Sequence, residues 1–415
     1  MSAARASSTN NHMNQVPRTR LGNGAGIVGT AALLGLLAGC AQPPTMPPDA
    51  APASPPSTAA PSDSGPTAAP PETIERPVAR WVRARWDDLP GWHGDLLLQA
   101  WPALRAACSD PKPAWREWCA HVQLRADDDE TGLRSLLQEL LQPYRVEDLS
   151  GASTGMATGY FEPLIEARRR PDERHRFALH APPPDLAARQ PYWTREQLET
   201  SARASLAGRE IAWVADPLDV LMLQIQGSGR VRITEPDGGP GLRRLAYAGH
   251  NGQPYRSVGR WLIDQGELPP DGASWPAIRA WARSQPAARV RAMLWANPRV
   301  VFFREEPLPD PSVGPRGAMG VPLTPGRSIA VDPRSIPYGT PVWLDTTEPL
   351  SNVPLQRLVS AQDTGSAIVG AVRADYFWGW GDGAEAQAGR MKQPLRMWVL
   401  WPRQAPPPPR EDAPG

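Results

Sequence analysis

Apolar residues recur at three-and-four spacing in two stretches of the chain. The first runs from Trp81 to Tyr144, through Leu96, Leu97, Trp101 and Leu104, and closes on Leu133, Leu136, Leu137, Leu140 and Leu141. The second runs from Tyr255 to Ala296, through Trp261, Leu262, Trp275, Ile278, Trp281, Val290 and Leu294. That period places the apolar side chains on one face of a helix, so both stretches are predicted helical. Elsewhere, short apolar runs bounded by Gly, Pro and Asp predict strands: Gly159 to Ile165, Ile211 to Ala215, Val220 to Gln226 and Val231 to Thr234. Strand character returns at Val300 to Arg304, Ile329 to Asp332, Pro341 to Leu344, Leu358 to Gln362 and Arg396 to Trp401. One helix interrupts the first strand group, opened by Thr194 with Gln197 at capping-box spacing. The pattern predicts a mainly β protein with flanking helices.

The ends of the chain do not share this pattern. Arg18 and Arg20 precede an apolar run from Ile27 to Leu37, too short for a permanent membrane span, so residues 1–39 read as an export signal. The run ends Leu37-Ala38-Gly39-Cys40, which resembles the lipoprotein cleavage box and makes Cys40 the expected lipidation site. The alternative is an ordinary signal peptide followed by a chance cysteine. Ala41 and Gln42 follow rather than an aspartate, so by resemblance to bacterial sorting rules the expected location is the periplasmic face of the outer membrane. Residues 40–77 are almost all Pro, Ala, Ser and Thr, a composition that buries no core and reads as a tether. About 35 such residues at about 3.1 Å each reach roughly 110 Å. The Pro-rich residues 403–415 read as a disordered tail.

Of 415 residues 51 are proline, so the folded part is shorter than the chain. A net charge of +1 with scattered basic residues leaves no electrostatic footprint for nucleic acid. An exported protein meets an oxidising compartment, so Cys108 and Cys119 are expected to pair and staple a helical hairpin. The histidines show no HExxH spacing and no convergent Cys/His set, so neither metal nor cofactor is predicted. Seventeen tryptophans stand against five phenylalanines; flat aromatic faces suit sugar rings, but packing between helices accounts for most of them.

The chemistry concentrates in Gln362 to Trp380, QDTGSAIVGAVRADYFWGW. Asp363 would end a buried strand, where turn NH groups hold it ionised. Asp375 is framed by Tyr376, Phe377 and Trp378, whose apolar walls should raise its pKa towards that of a usable general acid. Asp332, in Ser328-Ile-Ala-Val-Asp-Pro-Arg334, also ends a strand and could join the same cleft.

Several stretches together carry a specific resemblance: Thr158-Gly-Tyr-Phe-Glu-Pro163, Gln224-Ile-Gln-Gly-Ser-Gly-Arg230, Tyr247-Ala-Gly-His-Asn-Gly-Gln-Pro-Tyr255, Asn297-Pro-Arg-Val-Val-Phe-Phe303, Gly320-Val-Pro-Leu-Thr-Pro-Gly-Arg-Ser328 and the Asp363 to Gly379 run. By these the chain from about Arg80 to Pro402 resembles the membrane-bound lytic transglycosylase A family, and residues of about 314–401 resemble the domain named for three aspartates. The resemblance implies a double-psi β-barrel domain from residues 78–163 and 300–402, a second β-barrel domain inserted at 164–299, and a substrate groove between them. It implies cleavage of the β-1,4 bond between N-acetylmuramic acid and N-acetylglucosamine, leaving 1,6-anhydromuramic ends, without a cofactor. Asp375 matches the catalytic acid, and Asp363 and Asp332 the supporting aspartates. Thr158, Tyr160, Gln226, Ser228, Gly229 and Asn251 fall on motifs associated with glycan binding. Expected partners are peptidoglycan strands, the outer membrane through the lipid anchor, and other wall-synthesis or wall-degrading proteins. Ser366 departs from the family's second glycine and is expected to tighten the turn holding Asp363.

Glycosidic cleavage needs a proton on the leaving oxygen, and hydrolases add a second carboxylate to handle water. If the sugar's own C6 hydroxyl attacks, one carboxyl group suffices for both proton transfers. Two rivals stand beside this reading. Asp363-Thr-Gly-Ser is similar to the aspartic protease signature, but such sites need two aspartates sharing a proton and the chain holds no second copy. A non-catalytic peptidoglycan-binding lipoprotein would not depend on Asp375.

Overall fold

The structure, a computed structural model, describes residues 72–124 and 129–410. In chain order its strands begin with β1 (Thr73–Glu75), β2 (Arg80–Arg83) and β3 (Leu141–Glu147). They continue with β4 (Gly155–Glu162), β5 (Leu164–Arg168), β6 (Phe177–His180), β7 (Glu210–Val214), β8 (Gly229–Thr234), β9 (Pro240–His250) and β10 (Val301–Pro307). Last come β11 (Ser328–Val331), β12 (Pro341–Thr347), β13 (Pro354–Asp363), β14 (Arg373–Trp380) and β15 (Lys392–Pro402).

Six of these strands close a ring: β15, β12, β13, β11, β14 and β4 are neighbours in that order, and β4 pairs back onto β15. Pairs β11–β13 and β14–β4 are parallel and the rest antiparallel, the double-psi barrel of the expectation. Closure leaves the ring without a free edge. Strand β15 serves three partners, meeting β4 at Lys392 to Leu395, β12 at Arg396 to Val399 and β3 at Trp398 to Pro402. Its burial follows: Leu395 points in and Arg396 out, whereas Met397 to Trp401 is buried throughout, because β3 and the N-terminal helices cover the outer face.

Those helices, Trp101–Ala107, Arg116–Leu124 and Glu130–Leu140, bury Leu104, Trp118, Leu133 and Leu137 in the same core as Val342, Trp343 and Val399 of the barrel. Cys108 and Cys119 form the expected disulfide between the first two helices. Tryptophans 81, 92, 101, 115, 118, 343, 398 and 401 all lie in this core, so packing rather than sugar binding explains them.

The second sheet runs β10-β9-β8-β5-β7-β6. Phe303 from β10 and Leu179 from β6, its two edge strands, share one core with Ile165, Val231 and Leu245, so the sheet is rolled around its own interior. Fully buried Glu162 closes the joint between the two sheets: Arg230 and Arg244, from β8 and β9, each hold its carboxylate, at 2.7 and 2.6 Å. Arg230 also stacks 3.9 Å from the ring of Trp380, at the end of β14.

Several expectations are corrected. Trp81 and Tyr144 lie on β2 and β3, because the helical pattern stops short of them at both ends. Val220 to Gln226 belongs to the helix Pro217–Gln226, not to a strand. Asp216 caps that helix through the NH of Leu218, and a short apolar run buried on most sides carries no period to separate helix from strand. The inserted sheet extends past 299, since β10 pairs along β9 from Val301 to Pro307. The tether does not reach 77, because β1 pairs with β2 and buries Ile74. The tail is ordered as far as 410: Arg403 donates to Gln142 at 2.8 Å, Trp401 to the carbonyl of Pro406 at 3.1 Å, and Arg76 to the carbonyl of Pro409. The expected signal peptide, the Cys40 anchor, the tether up to residue 71 and the last five residues, 411–415, lie outside the described residues. Among the described residues no helix is long and apolar enough to cross a membrane.

Candidate active site

The two aspartates of the Gln362 to Trp380 segment meet across one short strand. Ala330 of β11 stands opposite Asp363 in parallel pairing and opposite Asp375 in antiparallel pairing, so both carboxylates sit at one level of the barrel. Strand spacing of about 4.8 Å puts their backbones roughly 10 Å apart. On β14 the burial alternates, with Ala374 and Tyr376 in the barrel core while Arg373 and Asp375 keep some exposure at the rim. Parallel pairing sets Thr158 of β4 opposite Asp375 and Tyr160 opposite Phe377, whose rings lie 5.1 Å apart.

Thr158 donates its hydroxyl hydrogen to Oδ1 of Asp375 at 2.5 Å. Burial pushes the Asp375 carboxyl up to about 6; the Thr158 bond and the Arg373 charge pull it down, and the nearby Asp363 raises it further. The expected direction holds, although Tyr376 is no wall of the site: it points inward and donates to the carbonyl of Gly326 at 2.8 Å.

Asp363 is held differently. Its Oδ1 accepts the NH groups of Ala318 and Thr364 at 2.8 and 2.9 Å, and its Oδ2 accepts the Tyr160 hydroxyl at 3.0 Å. The expected turn NH is present, yet burial outweighs the donors and the carboxyl lies above its usual range. Burial and the two aspartates push the Tyr160 phenol well above its ordinary value, so it remains a donor. Asp332 joins no open cleft. Its buried carboxylate takes the Arg334 side chain and backbone NH and, at 2.9 Å, the NH of Gly370, which ties the loop before β14 to the end of β11. These donors outweigh burial and hold it below the usual range. Ser366 is exposed, and Asp363 accepts from Ala318, Thr364 and Tyr160.

The inserted sheet reaches the site through the C-terminus of helix Pro217–Gln226. Gln226 accepts the NH of Phe161, beside Tyr160, at 3.1 Å. Ser228 is half-buried next to it, and Gly229 opens β8 so tightly that a Cβ there would lie 2.0 Å from Leu223. Asn251 has no free surface. It is fully buried, donating to the carbonyls of Trp193 and Pro298 and accepting from Val300, so it organises a turn and the expectation that it touches glycan is withdrawn.

Sequence reasoning missed three contributors. Gly317 lets its segment lie against β13, since a Cβ there would be 2.5 Å from the carbonyl of Gln362, and this delivers Ala318 to Asp363. Gly159 makes room for the indole of Trp378, 2.6 Å from where a Cβ would stand. Arg373 spans β14 and β4, and nothing in its local sequence announces that contact.

The site thus sets a raised carboxyl at the rim of a closed six-stranded barrel that is joined to a rolled second sheet. The family model of the MltA specific insert domain matches residues 156–304, and that of the 3D domain matches residues 327–401. Membrane-bound lytic murein transglycosylase A of Escherichia coli K12 is 32% identical over 305 residues, which cover 72% of this chain and 78% of that protein. Among solved structures, the lytic transglycosylase LtgG of Burkholderia pseudomallei is 46% identical, with a TM-score of 0.56, covering 80% of this chain and 98% of the other. The E. coli MltA structure with bound chitohexaose is 27% identical with a TM-score of 0.59, covering 83% and 97%. The chain belongs to the membrane-bound lytic murein transglycosylase A family.

Proposed function

We propose that this chain cleaves the β-1,4 bond between N-acetylmuramic acid and N-acetylglucosamine in peptidoglycan with one working carboxyl group, Asp375, leaving 1,6-anhydromuramic ends. As a member of its family it is a peptidoglycan lytic transglycosylase. The observation that carries the finer reading is the raised, half-buried Asp375 carboxyl at the barrel rim, at about 6, which is still protonated in part near neutrality. Neutral Asp375 gives its proton to the leaving O4 as the bond from C1 to that oxygen breaks. The muramic C6 oxygen then bonds to C1, and its hydroxyl proton passes to the Asp375 carboxylate, so the acid is regenerated without water.

Asp363 and Asp332 act around this centre. Asp363 holds Tyr160 and the Ala318 segment, and Asp332 holds the Gly370 loop. The strand lies along the rim past Thr158 and Tyr160 towards Gln226, Ser228 and Gly229; the E. coli relative binding chitohexaose supports a glycan occupant. Lipidation at Cys40 and the Pro-rich tether would hold the enzyme at the periplasmic face of the outer membrane, within reach of the wall and its other enzymes.

The deciding experiment digests purified peptidoglycan with the chain lacking its lipid anchor and with its Asp375→Asn variant, and reads the products by mass spectrometry. Anhydro-muropeptides from the wild type alone are expected. Products heavier by one water would mean hydrolysis and a second working carboxylate. An active Asp375→Asn variant would leave a different acid, or a wall-binding role, to explain the site.

A further inference from the structure

Asp375 is not reached by its nearest cation directly. Arg373 Nη2 donates to Thr158 Oγ1 at 2.8 Å, and Thr158 Oγ1 lies 2.5 Å from Asp375 Oδ1. The guanidinium is fixed in place, since its Nη1 donates to the carbonyls of Ala374 at 2.7 Å and Met156 at 3.2 Å, one on each of the two paired strands. A guanidinium has donors and no acceptor, and a threonine hydroxyl has a single hydrogen. Arg373 therefore occupies one of the two lone pairs of Thr158, and the hydroxyl hydrogen is directed at Oδ1 of Asp375. A hydroxyl that accepts from a cation is polarised into a better donor, which favours the direction from Arg373 through Thr158 to Asp375.

We infer that Arg373 is a positioning residue that biases Thr158 to donate to Oδ1 of Asp375, so that the acidic proton resides on Oδ2, the oxygen that serves the glycosidic bond. The inference rests on the reading of Asp375 as the acid. It also explains why a cation stands so near an acid that must stay protonated. A guanidinium in direct contact would pull a carboxyl down by about one to three pH units and leave it ionised at neutrality. With a hydroxyl between them, Arg373 orients the carboxyl while burial keeps it raised. The other groups that face Asp375 are Asp363 from β13, which pushes it up, and the neutral Tyr160 phenol on β4.

The proposal distinguishes two oxygens of one carboxyl. Oδ1 is an acceptor throughout the cycle. Oδ2 gives the proton to the leaving oxygen and recovers one from the C6 hydroxyl. Without the Arg373 charge, Thr158 is a weaker donor and accepts more readily from a protonated Oδ1, so the acid spends more of its time with its proton turned away from the substrate.

The test compares kcat, KM and the pH dependence of kcat for wild type, Arg373→Gln, Arg373→Lys and Thr158→Val on peptidoglycan, with Asp375→Asn beside them. Arg373→Gln and Thr158→Val are each expected to lower kcat by about tenfold to a hundredfold with little change in KM, the scale of losing one oriented donor. Both should move the alkaline limb of the profile upward, by about one pH unit, because the neutral carboxyl loses a bond and a cation that favour ionisation. Arg373→Lys restores a donor that cannot accept and should recover most of kcat. A lower kcat with an unmoved alkaline limb, a change confined to KM, or no rescue by lysine would reduce Arg373 to a strand cross-link and overturn the inference. Should Arg373→Gln fold poorly, Thr158→Val decides alone, since valine keeps the strand and the volume; a wild-type profile there ends the proposal. Failure of the underlying reading looks different: Asp375→Asn would then retain activity whatever the other variants do.

Discussion

Strand β4 meets two carboxylates at positions four residues apart, one fully buried and one half-buried at the rim, and the guanidiniums around them are placed in opposite ways. At Glu162, Arg230 and Arg244 touch the carboxylate directly, and Arg230 is sandwiched further by Trp380. At Asp375, opposite Thr158, the nearest guanidinium is set back by one hydroxyl. Direct contact makes a clamp between two sheets. A spacer leaves the proposed acid without a cation in contact. The sequence around each position holds the same ingredients, so their arrangement across strands decides which role a buried carboxylate takes.

The largest effect follows from removing the proposed acid. Asp375→Asn keeps the Oδ1 acceptor for Thr158 and loses the transferable proton, so turnover should fall by about a hundredfold to ten-thousandfold, the range of a general acid. Release of anhydro-muropeptides measures it. Glu162→Gln sharpens the contrast from the other side. It leaves two buried guanidiniums facing each other, and the expected cost is about 3 to 5 kcal/mol of stability, read from the denaturation midpoint. A wild-type midpoint for Glu162→Gln would mean that the joint is held by apolar packing rather than by charge.

The pattern of the chain revealed much of this architecture and little of its cross-strand chemistry. Thr194 and Gln197 form the capping box their spacing announced, since a cap is local. The pairing of Cys108 with Cys119 was legible from compartment and spacing. Asp375 and Asp363 stood out because a carboxylate beside aromatic or turn residues is a local signal. Arg373 did not, because its role depends on Thr158, brought in by parallel pairing from 215 residues away. Asn251 misled for the same reason: a polar residue in a Gly-rich motif reads as a binding group until its partners at Trp193, Pro298 and Val300 are in place. The tail misled by composition, since prolines can still be pinned by their carbonyls when Arg76 and Trp401 supply donors.

The N-terminal hairpin offers a smaller test away from both carboxylates. Replacing Cys108 and Cys119 together by alanine opens a loop with a sequence separation of 11. The loss expected from chain entropy is about 3 kcal/mol. Because the hairpin packs on the barrel core and not on the rim, turnover at low temperature should be unchanged, while the denaturation midpoint falls.

The smallest effect tests whether the raised acid has a cost to the fold. Asp375 has its carboxyl near 6 when folded, against an ordinary 3.8, so its contribution to stability is fully present below 3.8 and is lost as pH rises through about 6. Each pH unit of displacement corresponds to about 1.4 kcal/mol, and some exposure at the rim trims the total to about 1 to 3 kcal/mol. Asp375→Asn cannot ionise and escapes the loss. Urea midpoints for the two proteins should therefore coincide near pH 4 and diverge between pH 4 and pH 7, with the asparagine variant the more stable at pH 8. If the Asp375→Asn advantage is the same at pH 4 and pH 8, the carboxyl is not raised, and the division between clamp and acid on this strand falls with it.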